Sequence, residues 1–267
     1  MVLRIVVRML CCGSASAFQQ YRAAPKSCLR RSLALDDGLA TAALSEEALR
    51  FLQISTPLAS QVLFLSPLGV MDTFRREDTR DASALPYAAM VANGAAWCAY
   101  ALLADPADPT IFAANAGGVF FGLYYCWTFH RHMSDESDGP RLFAGALAVC
   151  VLLAAAGAFL PAATAHALVG YAAVGFCVLM FGGPLASGHA ILRTCSAAVL
   201  PLGFTLATVL NCALWWAYGF AIHDPLVWGP NVAGLVASAA QLGLYAKYGD
   251  NTEGCDLYAE GCLLPDV

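Results

Sequence analysis

The chain has 267 residues, of which 59% are hydrophobic and only 12% are charged. A soluble domain carries about 25% charged residues, so this composition excludes a protein that faces water on all sides. The net charge of −5 is mild and says nothing about nucleic acid, but the lack of a basic stripe argues against nucleic acid as a partner. The apolar residues fall in long runs, and a spanning helix needs roughly 20 of them. The sequence therefore predicts an all-α membrane protein.

Residues 1–40 differ from the rest of the chain, because they are basic and contain no acid before Asp36. We predict that they form a presequence or a disordered N-terminus. Ala15 and Ala17 give the A-x-A pattern of a cleavage site after a short apolar run. The string from Ala15 to Phe18 resembles the ASAF junction of bipartite plastid presequences. That resemblance implies a plastid membrane; without it, the plasma membrane is the expected location.

Seven apolar segments follow the N-terminal region and predict seven transmembrane helices. The first is the most polar, and the fourth is rich in Ala, Leu and Val. A tail of residues 250–267 ends the chain. The predicted spans are 48–72, 84–104, 108–130, 141–162, 165–192, 198–222 and 226–248.

Lys and Arg occur in every second connection between the spans. They occur between spans 1 and 2, 3 and 4, and 5 and 6, and at the end of span 7, whereas the other three loops contain none. The positive-inside rule then places the C-terminus in the cytosol, or on the side from which insertion starts, and the mature N-terminus on the opposite side. The residues concerned are Arg75, Arg76, Arg80, Arg131, Arg141, Arg193 and Lys247.

The second half of the chain repeats the first half, with residues matched at offsets of 115 to 118. Order, spacing and residue type all recur, so chance is a poor explanation. Each repeat holds three spans, and the fourth span gives both repeats the same direction through the membrane. The repeats predict bundles at 48–131 and 164–249 joined by a linker helix at 141–162. The matched pairs include Pro67 and Pro184, Asn93 and Asn211, Trp97 and Trp215, Tyr100 and Tyr218, Asp108 and Asp224, and Asn115 and Asn231.

The motifs of residues 48–249 resemble those of the SWEET (MtN3/saliva) sugar transporters. They match in order, and together they are specific. The SWEET family is itself a known example of parallel repeats with a substrate site at the repeat interface. The resemblance implies a 3+1+3 arrangement and passive, bidirectional transport of mono- or disaccharides. The motifs are Leu85-Pro86-Tyr87, Trp97-x-x-Tyr100, Trp215-x-x-Tyr218-Gly219, Asp224-Pro225, Pro230-Asn231-x-x-Gly234 and Gln241-Leu-x-Leu-Tyr245.

The resemblance also implies three groups of functional residues. A central pocket takes an Asn from the third helix and an aromatic or small residue from the second helix of each half. Prolines in the first two helices of each half act as hinges, and Tyr and Asp residues close an outer gate. Here these are Asn115, Asn231, Trp97 and Trp215 for binding, Pro67, Pro86, Pro184 and Pro201 for the hinge, and Tyr100, Tyr218 and Asp224 for the gate.

The residue chemistry agrees with a sugar pocket but leaves alternatives. An amide side chain both donates and accepts hydrogen bonds, yet an Asn in a span also serves as glue between helices. We expect the glue role for Asn93 and Asn211. A Trp can anchor a helix at the membrane interface, and a Pro can simply begin a helix. Trp127, Trp216 and Trp228 fit the anchor role better than the two pocket Trp residues do.

A salt bridge across the outer gate is not expected here. In the family one half often offers a Lys to pair with the gate Asp, but this loop has no Lys or Arg and contains Asp108 instead. Spans 2–7 also lack Asp, Glu, Lys and Arg at their centres. Because proton-coupled carriers usually need such a group, the sequence predicts uniport.

No catalytic constellation, metal ligand set or cofactor is expected, so the chain is predicted not to be an enzyme. The partners expected are a sugar and the lipid bilayer, and a homo-oligomer is left open. The cysteines within the spans are expected to pack as small hydrophobes, while pairing of Cys255 with Cys262 is undecided. One alternative is a PQ-loop carrier of another solute, disfavoured because Leu68 and Leu185 follow the key prolines. A seven-helix receptor is disfavoured by the repeat.

Overall fold

All the secondary structure in the described part of the chain is helical. The first bundle holds α1 to α4, α5 is the linker, and the second bundle holds α6 to α8. The helices are α1 (Glu46–Leu65), α2 (Leu68–Glu77), α3 (Leu85–Leu103), α4 (Pro109–His132), α5 (Gly139–Phe159), α6 (Ala162–Met180), α7 (Leu202–Ala221) and α8 (Pro225–Tyr248). The computed structural model describes residues 45–77, 79, 82–134, 137–180 and 202–249.

The chain divides into two compact units, Met1–Ala48 and Leu49–Val267, and the packing of the bundles belongs to the second. Several predictions from the sequence concern residues outside the described ones. These are the presequence at 1–40, the end of the fifth span after Met180, the tail at 250–267, Pro184, Pro201, Cys255 and Cys262.

The first predicted span is one membrane segment with a break near its C-terminal end. Helix α1 ends at Leu65, Ser66 and Pro67 form a turn, and α2 continues to Glu77. Because Pro67 has no N–H, it cannot bond to the carbonyl of Leu63 four residues earlier. Ser66 satisfies that carbonyl instead, through its hydroxyl at 2.7 Å and its backbone N–H at 3.1 Å.

Small residues let the helices of each bundle approach closely. In the first bundle, a Cβ added at Gly94 would lie 3.0 Å from the backbone oxygen of Asn115, and one at Gly122 would lie 2.8 Å from the Val91 side chain. Small residues at helix contacts are typical of membrane bundles. Helix α3 packs on α4, on the linker α5 and on α6, while α7 packs on α8. This is the predicted 3+1+3 arrangement.

The largest cluster of buried residues draws on both bundles and on the linker. Packing between bundles would otherwise consist only of polar contacts, which fix geometry but contribute modest net energy. The apolar cluster therefore supplies continuous contact area between the halves. Its members include Trp97, Tyr100, Ile111 and Ala114 from the first bundle, Leu153 from the linker, and Val169, Ala173, Trp215, Tyr218 and Val227 from the second.

Four segments are long and apolar enough to cross a membrane by length and composition alone: Glu46–Glu77, Gly139–Phe159, Ala162–Met180 and Leu202–Ala221. The other three long helices, α3, α4 and α8, contain Asn, Tyr, Trp and Gly that lower their mean hydropathy. Helix α3 buries Asn93, Trp97 and Tyr100 inside the protein rather than exposing them to lipid. Polar residues within a span are tolerated when they face such an interior.

The contact between α7 and α8 depends on Gly219. A Cβ there would lie 2.6 Å from the backbone nitrogen of Trp228, which cannot move aside, whereas a Cβ at Gly243 meets nothing within 4 Å. We expect Gly219→Ala to lower the free energy of unfolding by about 1–3 kcal/mol through overpacking. Gly243→Ala, in α8, should be neutral or stabilising by up to about 1 kcal/mol. Thermal unfolding of both variants in one detergent tests this, and equal Tm values would contradict it.

Candidate functional site

Two hydrogen bonds join the bundles at the end of the molecule where α3 and α7 finish. The Tyr100 hydroxyl donates to Asp224 Oδ2 at 2.6 Å, and the Tyr218 hydroxyl donates to Asp108 Oδ2 at 2.8 Å. Each Tyr belongs to one bundle and its Asp to the other, and the two pairs are matched by the repeat. Sequence reasoning placed Tyr100, Tyr218 and Asp224 together. The sequence placed Asp108 nearby without assigning it to the gate, and in the structure it is the fourth member of these outer latches.

Each Asp of the outer latches also caps a helix with its second carboxylate oxygen. Asp108 Oδ1 accepts from the backbone N–H groups of Thr110 and Ile111 at 2.8 and 3.0 Å. Asp224 Oδ1 accepts from the N–H of Leu226 at 3.0 Å. An N-cap Asp accepts hydrogen bonds from backbone N–H groups of the first turn that have no partner within the helix. Its negative charge is also attracted to the positive end of the helix dipole. The caps therefore hold the carboxylates in place independently of the bonds to the tyrosines.

In the described residues, hydrogen bonds from tyrosines rather than salt bridges join the bundles at the outer latches. Neutral tyrosine donors take the place of a cation, so each bond is charge-assisted on the acceptor side only. Aromatic packing orients the donors: Trp97 meets Tyr100 edge-on at 5.5 Å, and Trp215 meets Tyr218 at 5.9 Å.

His166 is a functional candidate that sequence reasoning missed. It lies on α6, is 6% exposed, and stacks on the Tyr100 ring with centroids 4.1 Å apart and an interplanar angle of 20°. The search for ionisable residues in the spans considered only Asp, Glu, Lys and Arg, and therefore passed over it. Its position beside an outer latch gives that latch an ionisable neighbour.

Deeper in the interface, a serine from the first bundle is held by two side chains of the second. The Trp215 indole N–H donates to Ser60 Oγ at 3.0 Å, and the Ser60 hydroxyl lies 3.0 Å from Asn211 Oδ1. The same hydroxyl is 3.2 Å from the carbonyl of Thr56, a second and longer acceptor contact. We call the group Trp215, Ser60 and Asn211 the hydroxyl clasp.

The repeat places an equivalent group on the other side of the interface, with a thiol in place of the hydroxyl. The Trp97 indole N–H donates to Cys177 Sγ at 3.4 Å, and Cys177 Sγ donates to Asn93 Oδ1 at 3.5 Å. We call the group Trp97, Cys177 and Asn93 the thiol clasp. Cys177 was expected to be a packing residue, but it carries the polar contact between the halves.

These contacts agree with the predicted role of Asn93 and Asn211 in holding helices together through hydrogen bonds. Each amide oxygen bonds to a residue of the opposite bundle. Ser60 and Cys177 were not found from the sequence, because a Ser and a Cys do not look like a repeat pair. The available signal was their spacing, which falls within the offset of the other pairs.

Asn115 and Asn231 adopt the same conformation in the two halves. The Asn115 Nδ2 group donates to the carbonyl of Ile111 at 2.8 Å, and Asn231 Nδ2 donates to that of Val227 at 2.7 Å. Because a carbonyl only accepts, these bonds fix the amide orientation. Among the described residues, neither Oδ1 atom accepts a hydrogen bond, so each Asn keeps an acceptor for another partner.

Gln61 ties α1 to α4 next to Asn115. Its Nε2 group donates to the carbonyl of Ala114 at 3.0 Å, and a Cβ at Gly117 would lie 1.9 Å from its Oε1. Gly117 is thus needed for Gln61 to reach the backbone of α4. The repeat position in the second half is Val178, which makes no such bond in the described chain.

The two described hinge prolines lie in different settings. Pro67 lies in the break between α1 and α2, while Pro86 lies in the first turn of α3, where its missing N–H costs no hydrogen bond. Pro57 and Pro230 lie inside α1 and α8, and neither was predicted to be a hinge.

An apolar cavity of about 210 Å³ lies between α5 and α6, and the predicted site residues do not line it. Its lining includes Leu152, Leu153, Val169 and Phe176. Of the residues predicted to line a central pocket, Trp97 and Trp215 make contacts across the interface through the two clasps. Asn115 and Asn231 instead donate to carbonyl groups of their own helices.

Two matched three-helix bundles, joined by a linker helix and by reciprocal polar contacts, define a membrane transporter built from internal repeats. The chain matches the MtN3_slv family model, described as "Sugar efflux transporter for intercellular exchange", over residues 50–137 and 167–253. The chain belongs to this family. It is therefore a multi-pass membrane protein of a family of sugar transporters, not of enzymes.

Individual relatives agree with the family assignment. The chain is 27% identical to the bidirectional sugar transporter SWEET14 of Arabidopsis thaliana, over 72% of this chain and 70% of the relative. It is 30% identical to SWEET4 of the same plant, over 71% and 78%, and 31% identical to the sugar transporter SWEET1 of Mus musculus, over 61% and 74%. The fold is similar to that of a eukaryotic SWEET transporter solved at 3.7 Å, with a TM-score of 0.64 and 24% identity, covering 75% of this chain and 98% of that one.

A double-mutant cycle tests whether each outer latch is a specific pair. Asp224→Asn keeps an oxygen for the N-cap but places an NH₂ group, which cannot accept, opposite Tyr100. We expect Tyr100→Phe and Asp224→Asn to couple by about 1.5–3 kcal/mol, the range for hydrogen bonds to charged groups. Unfolding free energies of the two single variants, the double variant and wild type give the coupling.

The matched control pairs Tyr100→Phe with Asp108→Asn, which share no direct hydrogen bond. Their coupling should be smaller than that of the hydrogen-bonded pair by about 1 kcal/mol or more, because only a longer-range electrostatic interaction acts between them. Equal coupling in the two cycles would show that the tyrosines and aspartates form one diffuse cluster rather than two latches.

Proposed function

We propose that this protein is a passive, bidirectional sugar uniporter that works by alternating access. The observation that carries the proposal is the pairing of polar side chains across the bundle interface at matched repeat positions. Hydrogen bonds between rigid bodies can break and re-form as the bodies rock, and transport proteins with repeats work in this way. The substrates proposed are mono- or disaccharides, as in the names of the related transporters.

The proposed binding residues are Asn115, Asn231, Trp97 and Trp215. A sugar offers hydroxyl groups at its rim and C–H faces above and below its ring. The two Asn Oδ1 atoms are suitable acceptors for those hydroxyls, since their NH₂ groups are already bonded to the backbone. The indole rings offer flat apolar surfaces for the C–H faces.

The outer latches are proposed to be the outer gate in its closed form. Breaking both Tyr–Asp bonds would free one bundle from the other at this end, while the helix caps would keep the carboxylates in place. The proposed hinges are Pro67 and Pro86, together with Pro184 and Pro201 outside the described residues. The break at Pro67 supports a hinge there, because α1 and α2 share no continuous backbone ladder across it.

Uniport is proposed because α3 and α7, which carry the clasps and the latch tyrosines, contain no Asp, Glu, Lys or Arg. The membrane is proposed to be the plasma membrane or, if residues 1–40 are a bipartite presequence, a plastid membrane. Assembly into a homo-oligomer is compatible with this function but is not needed for it.

Sugar flux in transport-deficient cells tests the proposed pocket. Wild type should equilibrate radiolabelled glucose or sucrose, and Asn231→Ala or Asn115→Ala should lower the flux about tenfold or more, since each removes a hydrogen-bond acceptor. Trp216→Ala is the matched control, because Trp216 adjoins Trp215 but is 43% exposed. Unchanged flux in both Asn variants at equal surface expression would remove these residues from the pocket.

Uphill accumulation tests the uniport mechanism. In proteoliposomes with an inward proton gradient, the internal sugar concentration should rise to the external value and no further, with or without a protonophore. His166→Phe, which keeps an aromatic ring against Tyr100, should equilibrate in the same way. Accumulation above the external concentration that the protonophore abolishes would show proton coupling, and its loss in His166→Phe would identify the group responsible.

A further inference from the structure

In each clasp, a hydroxyl or a thiol from one bundle contacts both an indole N–H and an amide oxygen of the other bundle. In the hydroxyl clasp, Ser60 Oγ takes a hydrogen bond from the Trp215 indole and lies within hydrogen-bond distance of Asn211 Oδ1. A sugar hydroxyl has the same ability, since it can accept from an N–H and donate to an amide oxygen. Ser60 therefore gives Trp215 and Asn211 the same hydrogen-bond partners that a substrate hydroxyl would give them.

A net sugar flux requires the carrier to reorient while empty, whereas exchange of sugar for sugar does not. During the empty step, the buried indole N–H of Trp215 and the partly buried amide oxygen of Asn211 would lose their partners, and unsatisfied polar groups away from water are costly. Ser60 is 5% exposed and Trp215 is 9% exposed, so water has little access to either in this state.

We propose that Ser60, with a smaller contribution from Cys177, stands in for substrate hydroxyls in the empty carrier and so permits its return. Ser60 is a positioning residue in this role, because it acts through Trp215 and Asn211 rather than on the sugar. The inference rests on the proposed function. The return of the empty carrier is a step in which the pocket residues have no sugar to bind.

The halves contribute unequally because their clasps use different atoms. A thiol is a weaker donor and acceptor than a hydroxyl. The Cys177 contacts of 3.4 and 3.5 Å are ordinary lengths for the larger sulfur atom, so the difference between the clasps lies in the atom type rather than in the distance. The hydroxyl clasp should therefore stabilise the empty carrier more than the thiol clasp does. Replacing a thiol by a hydroxyl should stabilise the empty carrier, and replacing a hydroxyl by a thiol should destabilise it.

The test compares two fluxes of one radiolabelled sugar, glucose or sucrose, in the same proteoliposomes. Net efflux into sugar-free buffer includes the return of the empty carrier, and exchange at equal concentrations on both sides does not. Ser60→Ala should lower the ratio of net efflux to exchange on the order of tenfold, with exchange close to wild type. Cys177→Ala should lower it less, and Cys177→Ser should raise it or leave it unchanged.

Ser60→Cys is the matched variant, because the chain already uses a thiol between the same two partner types in its other half. Its ratio should fall between those of wild type and Ser60→Ala, and it carries the test if Ser60→Ala does not reach the membrane. An unchanged ratio in Ser60→Ala, or an equal loss of both fluxes, overturns the inference and leaves the proposed function intact. Absence of exchange in wild type overturns the proposed function and this inference with it.

Discussion

The need to satisfy polar side chains between two bundles inside a membrane shapes the rest of this structure. In hydrocarbon an unpaired polar group is costly, so each bundle must supply partners for the other. The outer latches and the clasps do this reciprocally, with each half giving a donor where the other gives an acceptor. A duplicated sequence produces this arrangement readily, because a contact between position A of one half and position B of the other occurs twice.

The aspartates of the outer latches link local structure to the contact between bundles. One carboxylate oxygen caps the third helix of its own half, and the other receives a tyrosine from the opposite half. The cap fixes the carboxylate whether or not the latch is formed, so opening the latch costs the cross-bundle bond but not the helix start. This division would let the contact break without local unfolding, as the proposed outer gate requires.

The sequence predicted the repeat and the helix order, and it grouped Tyr100, Tyr218 and Asp224 at one gate without pairing them. It did not predict the contacts between unlike residues of the two halves. Tyr100 and Asp224 follow from matched motifs. Ser60 and Cys177 do not, because which side chain faces the other bundle depends on helix rotation, which a nearly all-apolar span does not encode. The first span was expected to end near residue 72, yet α2 reaches Glu77, since Met71 and Phe74 pack against aromatic residues of α3 and α4. The bond from each pocket Asn to its own helix depends on a rotamer choice that spacing cannot reveal.

In the proposed transport cycle, the places where the halves differ would determine which conformation the empty carrier favours, but not the direction of transport. His166 and Gln61 have no equivalent in the other repeat, and the clasps use different atoms. In a uniporter the sugar gradient alone sets the direction of net flux, because both conformations are reached from either side along one reversible cycle. Differences between the halves can only shift the populations of those conformations. Asymmetry in a duplicated carrier should therefore appear as unequal rates and affinities on the two sides of the membrane, while the equilibrium sugar distribution stays unchanged.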